Sequence, residues 1–280
     1  MLTVKKGIHI QGGPVDYWRD LCKSNNCYDS SIDVALFGPA VRTSLWVGMF
    51  DHLLQTNSCN FKIFFCGPTR PEFKLPSGIV YVYSDMCAAA CAEIARRLAL
   101  SCGADYLMDI HDDLDSSPNL LDSLIGRIQN DEKEVIVVPG FKPRLNSSPL
   151  LWTQQKHFAG LHYIMMKCST SIKMGGVDKR FVGAYWGHDQ MLRLESTGEV
   201  EFRVCPEAFV AEDEKKQRIQ VPGKRRLSSR HTKVDRALHL SLWQNTGRPT
   251  NPQYEVPLKR IDEVQHFSDE ELHFTIEANE

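Results

Sequence analysis

The sequence predicts an α/β fold in which a mainly parallel central sheet carries helices on both faces. Short apolar runs, two of them stopped by Gly-Pro, alternate with longer segments whose apolar residues recur at helical spacing. This alternation requires crossover connections, which build parallel sheets that are buried on both sides. The predicted strands lie in the ranges 31–40, 61–69, 78–85, 104–113 and 134–141, and the predicted helices lie in the ranges 42–56, 87–102 and 119–130.

The individual elements differ in how strongly the sequence marks them. The helix over 87–102 is rich in Ala and Leu, keeps its charges on one side and stops at Gly103. The second half of the chain is less regular. It predicts a strand entering a helix or turn over 157–169, a loop over 175–190, a helix over 190–198 and a further strand over 201–213.

The chain reads as one domain with a C-terminal extension. Residues 1–30 contain turn signals and predict a peripheral lead-in, so the core of the main domain, residues 1–213, begins near residue 31. Residues 214–280 begin with a basic, polar stretch, continue with an amphipathic segment over 234–246 and end in an acidic tail. We expect this extension to pack on the same domain, because no linker composition separates the two parts.

Composition restricts the class of protein and its compartment. Lys and Arg number 33 against 35 Asp and Glu, and the net charge of −2 gives no global attraction to nucleic acid or to an anionic membrane. No signal-peptide core and no apolar run of about 18 residues is present in the sequence. Several of the nine cysteines fall inside apolar runs, which indicates buried free thiols in a reducing compartment. We therefore expect a cytoplasmic protein without a membrane span.

An acidic cluster closes the fourth predicted strand. Asp109, Asp112, Asp113 and Asp115 fall within seven residues, and clustered carboxylates repel one another unless a cation or hydrogen-bond donors compensate. Hard oxygen ligands on a loop suit Mg²⁺ or Mn²⁺, which take their remaining ligands from water and substrate phosphates. The alternative is a solvated acidic turn that caps the following helix. Asp109, inside the strand, is more simply explained by hydrogen bonds within the structure.

A second motif favours a metal site over a solvated acidic turn. Gly175-Gly176-Val177-Asp178-Lys179-Arg180-Phe181 runs on through Val182 to Trp186-Gly187-His188-Asp189 and into a helix. Over roughly residues 31–213 the chain resembles the GT-A glycosyltransferases, especially the large inverting family with a GG-hydrophobic-D-x-x-F segment that leads to a Gly-aromatic-E-D element. His188 stands where that family has Glu.

The resemblance implies that the acidic cluster is the D-x-D site of the family, which binds a divalent metal and the diphosphate of a nucleotide sugar. Spacing to Pro118 favours Asp113 as the last family carboxylate with Asp112 beside it, whereas the literal D-x-D is Asp113-Leu114-Asp115. Both registers contain Asp113. The implied metal ligands are therefore Asp113 and Asp115, with Asp112 at the donor. The implied cofactors are Mn²⁺ or Mg²⁺ and a nucleotide sugar, with UDP as the expected nucleotide.

The resemblance also implies a base for the transfer reaction. Asp189 is the first candidate to accept the proton of the attacking hydroxyl in an inverting displacement. A helix N-terminus also suits an Asp as a cap, so a purely structural role stays open. A His side chain is a common base at neutral pH, so His188 is the other candidate, in which case Asp189 orients it.

The resemblance implies further contacts to the nucleotide-sugar donor at the strand ends and in the basic stretch. Pro39 and Arg42 follow the first strand, where the family contacts base and ribose, although a lone Arg is commonly a surface residue. Asp85 closes the third strand and is either a base or ribose contact or a helix cap. Arg230 and His231 lie in the basic stretch, where GT-A enzymes commonly carry a loop that closes over the donor. The resemblance implies that His231 is a metal ligand and that Arg230 contacts the diphosphate. The alternative there is a solvated basic loop.

Two other functions remain open at this point. A sugar-phosphate nucleotidyltransferase also uses a parallel α/β sheet and a metal, but the segment after the first strand, GPAVRTS, is poor in the glycines that cradle a triphosphate. A non-catalytic carbohydrate- or nucleic-acid-binding module on the same fold is the second. The acceptor is not defined by the sequence, and a glycan, a protein, a small molecule or a modified nucleic acid all fit.

Overall fold

A computed structural model describes residues 16–129, 134–142, 163–197, 200–212, 214–217, 219, 232–243 and 264–277. The described residues form one nine-stranded sheet with helices packed on both of its faces. The strands are β1 Val34–Pro39, β2 Phe61–Gly67, β3 Ile79–Tyr83, β4 Tyr106–Asp109, β5 Leu114–Ser116, β6 Glu134–Lys142, β7 Met165–Lys167, β8 Val200–Glu212 and β9 Thr275–Glu277. The helices are α1 Asp16–Ser24, α2 Thr43–Thr56, α3 Ala88–Ser101, α4 Leu120–Ile128, α5 Cys168–Met174, α6 Trp186–Thr197, α7 Glu214–Gln217 and α8 Thr232–Trp243.

The strand order is β5-β8-β6-β7-β4-β1-β2-β3-β9. Strands β1, β2, β3 and β4 are parallel to one another, and β6 and β8 run in the same direction because β7 is antiparallel to both β4 and β6. Only β5, β7 and β9 run the opposite way among the described strands. The predicted class, a mainly parallel sheet with helices on both faces, is confirmed.

Alternating side chains of the central strands build two separate cores. Val34 and Leu36 of β1 point to the face covered by α2 and α4, where Trp46 is fully buried. Ala35 and Phe37 point to the opposite face, which α1 and α3 cover. This alternation is the period of two that a strand buried on both faces requires.

The predicted peripheral lead-in is wrong for residues 16–24. These residues form α1, and Trp18 is only 1% exposed. Its indole N–H donates to Asp269 Oδ1 at 2.9 Å, and the guanidinium of Arg97 donates to the same oxygen at 2.5 Å. The amphipathic face of α1 therefore closes the core on the α3 side, and a short 3-10 turn at Asp269–Glu271 holds it there.

The described residues contain neither a membrane-spanning helix nor a disulfide. No helix among them has the length and apolar character needed to cross a bilayer. All nine cysteines lie in the described ranges, and all nine are free thiols.

Candidate active site

The ends of β1, β2 and β4 meet at one edge of the sheet. Phe37 pairs with Asp109 and Pro39 with Cys66, so the carboxyl ends of the three strands lie side by side. A Cβ on Gly38 would lie 2.0 Å from the carbonyl oxygen of Ile110, and a Cβ on Gly67 would lie 2.0 Å from that of Ala40. The glycines that stop these strands therefore let neighbouring backbones approach closely, at the edge where α/β sheets bind ligands.

Asp112 is an internal anchor for the segment that follows β1. Its Oδ2 accepts the backbone N–H groups of Val41 and Arg42 at 2.6 and 2.5 Å, and the indole N–H of Trp46 at 3.3 Å. Its Oδ1 accepts Arg42 Nη1 at 2.8 Å, and the residue is only 3% exposed. Asp112 was predicted to contact the nucleotide-sugar donor, but both of its carboxylate oxygens already accept hydrogen bonds from the protein.

Arg42 joins the two neighbouring carboxylates of the acidic cluster. Its Nη2 lies 2.9 Å from Oδ2 of Asp113, while Nη1 is bonded to Asp112. The Arg42 and Asp113 side chains are each 12% exposed. The Nε of Arg42 is buried and has no hydrogen-bond partner among the described residues. Arg42 was predicted to pair with the phosphate or the base of the nucleotide. In this structure its guanidinium pairs with the carboxylates of Asp112 and Asp113 instead.

Asp115 is separated from Asp113 by the start of a strand. It lies in β5, pairs with Ala211 of β8 and forms an ion pair with Lys216 of α7 at 2.6 Å. About a third of its side chain is exposed. Among the described residues, no three His, Cys, Asp or Glu side chains converge as a metal site requires. His231 and Arg230, the other predicted metal and donor contacts, lie outside the described residues.

Asp109 points away from the acidic cluster, toward α5 and α6. It lines a small, mostly apolar cavity in which residues from the ends of β1 and β4 meet residues of these two helices. The cavity is lined by Phe37, Leu107, Asp109, Ile164, Met166, Ser171, Met174 and Gln190. Gln190 belongs to the first turns of α6. The beginning of α6 therefore lies beside the carboxyl end of β4.

The two remaining predicted donor residues lie at strand ends. Pro39 is the last residue of β1 and is partly buried, and Asp85 is exposed two residues beyond β3. The N-cap of α3 is Cys87, and no side chain makes a capping hydrogen bond there. The alternative role of Asp85 as a helix cap is therefore not adopted.

The glycine pair at 175–176 is required by packing against a buried carboxylate. Gly175 ends α5 with φ +79°, and a Cβ on Gly176 would lie 2.5 Å from Oε1 of Glu93. The Val177 N–H donates to Glu93 Oε2 at 3.0 Å. Burial alone raises the pKa of Glu93, but the charges of Arg96 and Arg97 and the Val177 hydrogen bond outweigh it, so the pKa lies below its ordinary value.

The rest of this motif is structural as well. Asp178 is completely buried, and its carboxylate binds the backbone N–H and the guanidinium of Arg180. Phe181 is fully buried in the core on the α3 side. The motif GGVDKRF therefore fixes the path of the chain into α6, and the charges of Asp178 and Arg180 pair with each other there.

Asp189 is fully buried in the first turn of α6. Its Oδ2 accepts Arg193 Nε at 3.1 Å and its Oδ1 accepts the indole N–H of Trp243 at 3.0 Å. Arg193 is held in turn by the carbonyl oxygens of Met174 and Gly176. A carboxylate with no exposed surface and a donor on each oxygen is out of reach of a substrate hydroxyl in this conformation.

His188 is the more accessible member of the predicted catalytic pair. It is partly buried, and its ring lies 5.4 Å from the ring of Tyr185 and 6.2 Å from that of His239, measured between centroids. Tyr185 has φ +61°, a left-handed conformation that is uncommon for a bulky residue. Residues of α8 that the sequence analysis did not select therefore lie at the site.

Comparisons with known proteins add similarity at low identity. No protein-family model and no curated protein matches the chain. Among solved structures, the chain is similar to a variant of Drosophila beta-1,4-galactosyltransferase 7 in complex with manganese, UDP-Gal and xylobiose, at 12% identity and TM-score 0.42. That match covers 85% of this chain and 82% of the other. The catalytic domain of the same Drosophila enzyme, in complex with xylobiose, matches at 13% identity and TM-score 0.43 over the same shares of the two chains.

A third similar solved structure is named for another enzyme class. A glucose-1-phosphate thymidylyltransferase of Bacillus anthracis in complex with sucrose is similar at 10% identity and TM-score 0.36. The match covers 65% of this chain and 89% of the other. At these identities and TM-scores, the activity of this chain has to be inferred from its own residues.

Proposed function

We propose that this protein is a metal-dependent glycosyltransferase that moves a sugar, with inversion, from a nucleotide-sugar donor to a hydroxyl acceptor. One observation supports this most. The carboxylates of Asp112 and Asp113, bridged by Arg42, lie just beyond the carboxyl end of β4, and the turn of α6 that carries His188 begins beside the same strand end. One side of this sheet edge would bind the anionic nucleotide-sugar donor, and the other side would supply the proton acceptor.

The acidic side of this edge fits a divalent cation by its donor chemistry. Asp113 and Asp115 supply hard oxygen ligands, and each of them already holds a positive group, Arg42 and Lys216 respectively. Together with His231 they are the residues that would hold Mn²⁺ or Mg²⁺. When bound, the metal supplies positive charge for the departing diphosphate.

Arg42 is the residue of this side that is prepared for an anion. Its guanidinium sits next to the strand ends, and its buried Nε lacks a partner among the described residues. A diphosphate oxygen would satisfy that donor and gain a charge-assisted hydrogen bond. We infer that Pro39 and Asp85, at the ends of β1 and β3, contact the nucleoside, and that UDP is the nucleotide.

His188 is the better supported proton acceptor of the two candidates. Asp189 is buried, and its two oxygens are bonded to Arg193 and Trp243. The imidazole of His188 is only partly buried, and a His operates as a base at neutral pH without a large change in its pKa. In this proposal Asp189 holds the first turn of α6 in place, and His188 accepts the proton of the acceptor hydroxyl.

The cysteines and the C-terminal segments bear on the compartment and on the domain organisation. Nine free thiols support a reducing compartment, and we infer a cytoplasmic location. The described parts of residues 214–280 pack on the same sheet and helices as residues 16–212, which supports one catalytic domain with an attached extension.

A donor screen tests the proposal directly. Thermal unfolding is measured with MnCl₂ and a panel of UDP-, GDP-, dTDP- and CMP-sugars, followed by donor hydrolysis with each sugar that stabilises the protein. We expect stabilisation that needs both metal and nucleotide, is lost in Asp113→Ala and is retained in Trp18→Phe. No stabilisation or hydrolysis by any nucleotide sugar contradicts the proposal.

Two further measurements identify the other two functions. Release of pyrophosphate from a nucleoside triphosphate and a sugar 1-phosphate identifies a nucleotidyltransferase. Saturable binding of a sugar or nucleotide without turnover identifies a non-catalytic module.

A further inference from the structure

One face of α8 carries three buried polar or aromatic residues at a spacing of four. Asp235, His239 and Trp243 are each at most 1% exposed, whereas Val234 beside them is 63% exposed. Residues four apart on a helix lie above one another, so the three side chains form a single row. We call Asp235, His239 and Trp243 the α8 row.

The first member of the α8 row fixes the chain just before α6. The Asp235 carboxylate accepts three consecutive backbone N–H groups, those of Val182, Gly183 and Ala184, at 3.1, 2.7 and 2.7 Å. Three donors on one buried carboxylate form a strong, charge-assisted anchor. The path of the loop into α6 therefore depends on a residue of the C-terminal extension.

The second member packs on the next residue of that loop. The His239 ring lies 5.3 Å from the Tyr185 ring at 31° between planes, and Tyr185 in turn contacts His188. Tyr185 also accepts the Asp189 N–H at 2.9 Å through its carbonyl oxygen. A left-handed Tyr persists only where its surroundings hold it, and here the α8 row supplies one side of that support.

The third member binds Asp189, the residue that follows His188 in α6. The Trp243 indole N–H donates to Asp189 Oδ1 at 3.0 Å, opposite the Arg193 Nε on Oδ2 at 3.1 Å. Two donors from different helices determine the position of this carboxylate. Removing either one allows the first turn of α6 to shift.

We propose that α8 is the positioning element of the His188–Asp189 pair and that Trp243 is its principal positioning residue. The catalytic part of this inference rests on the function proposed above, whereas the structural coupling between Trp243 and His188 does not. Trp243 acts through Asp189 and touches no substrate. Loss of its N–H should lower kcat and leave the KM of the donor unchanged, because the donor is bound at the other side of the site.

The test compares two indole-to-carboxylate hydrogen bonds in the same chain. Trp243→Phe removes the N–H that binds Asp189 and keeps an aromatic ring in place. Trp18→Phe is the matched control, because Trp18 is equally buried and its N–H binds Asp269 at 2.9 Å, outside the site. Sugar transfer is measured for both variants, and ¹⁵N imidazole spectra of His188 are recorded, with the signal assigned through His188→Gln.

We expect Trp243→Phe to lower kcat on the order of tenfold to a hundredfold, to leave the donor KM unchanged and to shift the His188 signals. Trp18→Phe should change none of these. If Trp243→Phe does not fold, Asp235→Asn takes its place, since it keeps the side-chain volume and should also shift the His188 signals.

The inference is overturned if the variant that folds behaves like Trp18→Phe in kcat and in the His188 spectrum. If the wild type transfers no sugar at all, the proposed function fails, and the spectra alone then decide on positioning. A His188 shift confined to the α8 variants supports it, and unchanged spectra overturn it.

Discussion

Arg42 and Asp112 are joined twice, once through the guanidinium at 2.8 Å and once through the Arg42 backbone N–H at 2.5 Å. Asp112 accepts two further N–H groups, from Val41 and from the Trp46 indole. One buried carboxylate thus connects the end of β4 to the first turn of α2. Its main contribution is to hold the sheet edge together, while Asp113 beside it pairs with the other terminal nitrogen of Arg42.

This relationship predicts that alanine substitutions of two acidic residues three positions apart, Asp112 and Asp115, lower the stability of the protein by very different amounts. Asp112→Ala should lower the free energy of unfolding by about 3–5 kcal/mol, because it leaves the N–H groups of Val41, Arg42 and Trp46 buried without their acceptor and removes one of the two carboxylates that pair with the Arg42 guanidinium. Asp115→Ala should cost about 0–1 kcal/mol, since its ion pair with Lys216 is partly exposed. Urea denaturation of both variants measures the difference, and equal losses would contradict the anchoring role of Asp112.

The second prediction concerns the proton acceptor. His188→Gln should lower the transfer rate about 10²- to 10⁴-fold with little effect on stability, because the residue is partly exposed and is the base that we propose. Asp189→Asn should mainly destabilise the protein, because it leaves Arg193 buried without its charge partner. Steady-state transfer and thermal unfolding are measured for each. A stable His188→Gln variant with wild-type kcat would transfer the base role to another group.

The third prediction tests the glycine pair before Val177. Gly176→Ala should destabilise the protein by about 1–3 kcal/mol, because the new methyl group would meet the Glu93 carboxylate at 2.5 Å. Gly126→Ala in the exposed part of α4 is the control, since nothing lies within 4 Å of its added Cβ and Ala favours a helix by up to about 1 kcal/mol. Opposite signs in the two free energies are expected. A neutral Gly176→Ala would show that Glu93 can move aside.

The fourth prediction concerns pH. Burial lowers the pKa of His266 below its ordinary value of 6.5, and although Glu93 acts in the opposite direction, Arg193, Arg96 and Arg97 add to the lowering. The unfolded chain therefore binds a proton at higher pH than the folded one. The contribution of His266 to stability is present above pH 6.5 and is lost as the pH falls toward its lower folded pKa. Melting temperatures at pH 7.5 and 5.5 should differ less in His266→Gln than in the wild type, and an unchanged difference would contradict this.

The strands were predictable because each central strand is an apolar run buried on both faces, as in Phe61–Gly67. Edge strands β5 and β9 were not predicted, since three residues that pair through their backbones carry no side-chain pattern. Helix α6 was expected to begin at Gln190 and begins at Trp186. Gly187 and His188 in its first turn are weak helix formers, and tertiary packing outweighs that preference.

The chemistry of the site was predictable only in part. The acidic cluster and the His-Asp pair were found because their residue types stand out along the chain. The partners of Asp112 and Asp189 were not, because Val41 and Trp243 lie 71 and 54 positions away from them. The spacing of four between Asp235, His239 and Trp243 is present in the sequence, but this segment was predicted only to be amphipathic.

The hydrogen bond between Trp18 and Asp269 joins residues that are 251 positions apart in the chain. Contacts at such separation form late in folding, because the loop between them has to be ordered first. The α1 helix can pack on α3 earlier, through contacts such as that of the Cys22 thiol with the Leu98 carbonyl oxygen. The Trp18 indole gains its acceptor only when the segment around Asp269 is in place. We therefore expect this hydrogen bond to form late in refolding, and a chain that has packed α1 on α3 still lacks the contact that ties its two ends together.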